Sequence, residues 1–93
     1  LSVDKPAGAL TAIGTASSPI VFTGKQQVSG YWVGLDFFSI SRSNQLDHTV
    51  IEYAGAPTGN AQGLVGAFFS DSYVDVTNSI LRHSATNGLW VDT

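Results

Sequence analysis

Residues 46–55, LDHTVIEYAG, recur thirty positions later as VTNSILRHSA, residues 76–85. Leu46 becomes Val76, Val50 becomes Ile80 and Ile51 becomes Leu81, while Glu52 gives way to Arg82 and Tyr53 to His83. The apolar frame is kept and the outward chemistry drifts. That pattern is the mark of stacked repeats, in which each unit must continue the hydrophobic column of the unit below.

A second set of matches extends the repeat. GLDFFS (34–39), GAFFSD (66–71) and GLWVDT (88–93) each place a glycine before alternating apolar residues, at offsets of 32 and 22. The interval from Gly66 to Asn87 has no evident insertion, so 22 residues reads as the bare period. The preceding unit carries an extra APTGNAQG, whose Gly, Pro and Asn content reads as a loop. Short β-branched and aromatic runs (IVFT, LDFF, TVIEY, SILRH, LWV) are bounded by Gly, Asn, Ser or Pro, and no helix-length apolar stripe of period 3.6 occurs. An antiparallel sandwich also has many short strands. Its strands do not repeat their sequence at a fixed interval, however, so the spacing favours an all-β parallel β-helix with three short strands per coil.

The runs LTAIGTASSPIVFTG, GYWVGLDFF and LDHTVIEYAG resemble the pectate-lyase-like right-handed parallel β-helix repeats of bacterial secreted and surface proteins. VTNSILRHSATNGLWVD is similar to the Asn-rich coil consensus of that superfamily. The resemblance implies a right-handed solenoid over nearly the whole chain. It implies little about activity, because such repeats serve lyases, hydrolases, adhesins and passive stalks.

On this reading residues 1–33, 34–65 and 66–87 form three coils of a single segment, and 88–93 begins a fourth. Alternation along the strands assigns the faces. Leu35, Phe37, Ala67, Phe69, Leu89 and Val91 point inward, as do Ile51, Leu81, Leu46 and Val76. Asp36, Phe68 and Trp90 are expected to form one outward column, with Val50 and Ile80 outward on the neighbouring sheet. Glu52 and Arg82 become vertical neighbours of opposite sign, a pair that favours correct register. His48 falls above Asn78, and Tyr53 above His83, at strand ends.

Only 12% of residues are charged, and the net charge is −3 with four basic side chains. That balance argues against nucleic acid or an anionic membrane as partner. No apolar run approaches the roughly 18 residues of a membrane span. Without cysteine there is neither a disulfide framework nor a thiolate metal site. Uncharged polar, β-rich composition suits an extracellular or cell-surface protein, and the absence of any methionine suits a piece of a longer one.

The carboxylates Asp36, Asp47, Glu52, Asp71, Asp75 and Asp92 invite comparison with sugar-cleaving enzymes, which the resemblance also brings in. Such chemistry needs two converging carboxyls about 5–9 Å apart. No expected column stacks two, so solvated turn residues are the better reading. His48 and His83 occupy different corners and lack acidic companions at metal spacing, which favours structural roles. DSYVD (71–75) lacks the oxygen density of a dedicated calcium loop. No catalytic set, metal site or cofactor is expected. Phe68 and Trp90, with Asp36 beside them, are the binding candidates, able to stack on a sugar or a partner unless an insertion covers them. Tyr31 and Trp32 read as loop anchors.

A stack of about three coils is only ~15 Å tall, and LSV at one end and GLWVDT at the other carry no cap. The expected function is therefore a non-enzymatic structural or adhesive segment that self-associates end to end through open coils. The alternatives are a fragment of a polysaccharide lyase or glycoside hydrolase, or a carbohydrate-binding module with polysaccharide as partner.

Overall fold

The computed structural model describes residues 1–4, 8–56, 63–68 and 72–92. Among these lie the strands β1 (Ser2–Asp4), β2 (Thr11–Ile13), β3 (Ile20–Phe22), β4 (Leu35–Phe38) and β5 (Gln45–Asp47). They continue with β6 (Thr49–Glu52), β7 (Gly63–Phe68), β8 (Asp75–Thr77), β9 (Ile80–Arg82) and β10 (Asn87–Asp92). The described residues contain no helix, and so none long and apolar enough to cross a membrane.

Every pairing is parallel, and the strands fall into three sheets: sheet A in the order β1-β4-β7-β10, sheet B β2-β5-β8 and sheet C β3-β6-β9. The chain visits A, B and C in rotation three times and then enters A once more. This is all-β architecture of stacked parallel strands, compatible with a parallel β-helix. Parallel neighbours need a long crossover, and here each crossover is a complete pass through the other two sheets.

In sheets B and C the register sets Leu46 beside Val76, Val50 beside Ile80 and Ile51 beside Leu81. Sheet A differs from the expectation. Leu35 pairs with Val65 and Val65 with Leu89, so the offsets are 30 and 24 rather than 32 and 22. β7 opens at Gly63, three residues before the glycine that marks the sequence match.

The inward positions stack like on like. Leu35, Phe37, Leu46, Ile51 and Val65 have no exposed surface. Phe37 lies between Val3 of β1 and Ala67 of β7, and burying a side chain of this kind contributes about 1.5–3 kcal/mol. Core neighbours such as Val3, Phe37 and Ala67 belong to successive passes, so each pass is packed against the next.

The corners between sheets need left-handed backbone. His48 and Asn78 supply it between B and C at φ 50° and 49°. Tyr53 and His83 supply it at the ends of β6 and β9, at φ 61° and 57°. Asparagine and histidine tolerate this region better than tyrosine does. The Tyr53 ring is compensated by stacking on His83, with centroids 4.8 Å apart and planes 3° from parallel. At Gly34, φ is +120° and a Cβ would fall 2.6 Å from the Gly63 carbonyl oxygen, so only glycine fits before β4.

Candidate functional site

The outer face of sheet A was expected to carry Asp36, Phe68 and Trp90 in one column. The register corrects this: Asp36 pairs with Gly66, Gly66 with Trp90, and Phe68 with Asp92. Asp36 and Trp90 thus straddle a glycine, and Phe68 lies two residues out of register with Trp90 rather than in one column with it.

Asp36 is only 7% exposed. Its Oδ1 and the Trp90 Nε1 are both buried without a hydrogen-bond partner. Burial raises the Asp36 carboxyl above the ordinary carboxylate range, an effect partly offset by the nearby N-terminal ammonium. That ammonium donates to the Gly34 carbonyl at 2.7 Å.

The outer face of sheet C carries a polar ladder. Glu52 accepts from Arg82 Nε at 2.7 Å and from Thr23 Oγ1 at 2.9 Å, joining all three passes. The hydrogen bond from Arg82, then that from Thr23, holds the Glu52 carboxyl below its ordinary value. Asp47 on sheet B accepts from Thr77 Oγ1 at 2.8 Å and Asn78 Nδ2 at 3.0 Å, and His48 Nδ1 lies 3.2 Å away. The Asn78 bond leads in holding Asp47 low. These charges are consumed by contacts between passes.

The loop from 23 to 34 is tied to the same corner. Trp32 Nε1 donates to the Glu52 carbonyl at 2.9 Å, and Tyr31 N to the Tyr53 carbonyl at 3.0 Å. Asn44, which sequence reasoning passed over, is fully buried and joins three passes. Its Oδ1 accepts from Leu10 N at 3.0 Å, and its Nδ2 donates to the Tyr73 carbonyl at 3.0 Å and the Ser39 carbonyl at 3.4 Å. The available signal was an asparagine two residues before the inward Leu46, where a turn carbonyl and amide need a two-sided partner.

No group of three or more His, Cys, Asp or Glu among the described residues is arranged to hold a metal ion. Asp71, the start of DSYVD, lies outside the described residues, as do Phe69 and most of APTGNAQG.

The end of the stack formed by β8 and β10 is the feature that stands out. Leu89 and Val91 occupy inward positions, in register with the buried Val65 and Ala67. Yet they are 52% and 61% exposed. With Ala67, Val74 and Val76 they line an apolar hollow of about 370 Å³, rimmed by Ser72 and Tyr73. The opposite end differs. Inward Val3 and Ala12 are buried, and Ile20 and Phe22 are partly buried against the core. Val76 and Leu81 at the β8–β10 end are partly buried in the same way, so the contrast between the ends is between Val3 and Ala12 on one side and Leu89 and Val91 on the other.

No protein-family model matches the chain, and neither does any curated protein or solved structure.

Proposed function

We propose that this chain is a structural, adhesive segment of a right-handed parallel β-helix of the pectate-lyase-like kind, belonging to a secreted or cell-surface protein and self-associating through its end. The observation that carries this reading is the exposure of Leu89 and Val91 over an apolar hollow, at positions whose counterparts one strand away are core. Among the described residues β8, β9 and β10 are the outermost strands of their sheets at the same end, and an outermost strand beside exposed core is a template for another chain.

The remaining parts of the reading have physical support of their own. Rotation of the chain through three parallel sheets fits a helical winding, and parallel crossovers are right-handed in about 98% of cases. A surface of Ser, Thr, Asn, Gln and Gly with no cysteine suits a secreted or surface setting. The carboxylates Glu52 and Asp47 are engaged in contacts between passes, which favours a structural role over catalysis.

Light scattering behind size exclusion, over a hundredfold range of concentration, tests the proposal. An average mass above that of one chain and rising with concentration is expected. The mass of one chain, 9.8 kDa, at every concentration would refute it.

A further inference from the structure

We draw no further inference here: the strongest candidate, the buried Asp36 Oδ1 and Trp90 Nε1 on either side of Gly66 on sheet A, belongs to the site already described, and nothing in the structure shows what would meet them.

Discussion

The Arg82 guanidinium meets the Glu52 carboxylate at 2.7 Å on the outer face of sheet C, and Thr23 closes on the other carboxylate oxygen from the opposite side. One acid thereby spans three successive strands. Arg82 is half exposed and its pairing is open to salt. We expect Arg82→Ala to lower the thermal midpoint by no more than a few degrees at low salt, with the difference shrinking toward zero in about 1 M salt. A loss that persists at high salt would mean that the arginine stem, packed along the sheet, supplies the effect instead.

Glu52 and Asp47 both titrate below their ordinary values of 4.5 and 3.8, held there first by Arg82 and Asn78 respectively. A depressed carboxyl contributes stability that is fully present above its unfolded value and is lost as pH falls through its folded one. The urea midpoint should therefore hold steady on the acidic side of neutrality and begin to fall near pH 4.5. The double variant Asp47→Asn, Glu52→Gln should be less stable at neutral pH and show a flatter acid limb. An unchanged acid limb in that variant would place the acid sensitivity elsewhere.

Asp36 works in the opposite sense. Its carboxyl is raised by burial, so the protonated form favours the folded state, and that contribution is lost as pH rises through the folded value. At neutral pH a buried carboxylate oxygen without a partner is a standing cost. Asp36→Asn should stabilise the chain by roughly 1 kcal/mol at neutral pH, measured by urea denaturation. The gain should vanish below the ordinary aspartate value of 3.8. A loss at neutral pH would show that the charge is satisfied, most directly by the N-terminal ammonium.

The sequence was legible where repeats share both spacing and polarity. Leu46 with Val76 and Ile51 with Leu81 are thirty residues apart in the text and side by side in the sheets. Sheet A was misread by two residues, and the reason is physical. Side chains alternate with period two, so a shift of two keeps every inward residue inward, and Ala67 matches the pattern of Leu35 as well as Val65 does. Gly66 then reads as the start of a strand when it is the outward residue between Asp36 and Trp90. The burial of Val3 against the exposure of Val91 was not legible at all. Both are inward valines of sheet A, so neither residue type nor alternation distinguishes them.

Asn44 offers the sharpest test of how the passes are held together. It is fully buried, and its amide is used from both sides: the oxygen accepts from Leu10 N, and the nitrogen donates to the Tyr73 and Ser39 carbonyls. Asn44→Ala leaves the Leu10 amide and the Tyr73 carbonyl without these partners, at a cost of about 2–4 kcal/mol. That is a large share of the stability a domain of this size has. Asn44→Asp separates hydrogen bonding from packing, because the side chain keeps its shape. An ionised aspartate still accepts from Leu10 but turns an oxygen toward two carbonyls. A protonated one can donate to Tyr73 again. Asn44→Asp should therefore be strongly destabilised at neutral pH and regain much of the loss at about pH 4, whereas Asn44→Ala should stay equally impaired at both. Urea midpoints of the two variants at the two pH values decide it, and parallel behaviour would mean that Asn44 acts by filling space alone.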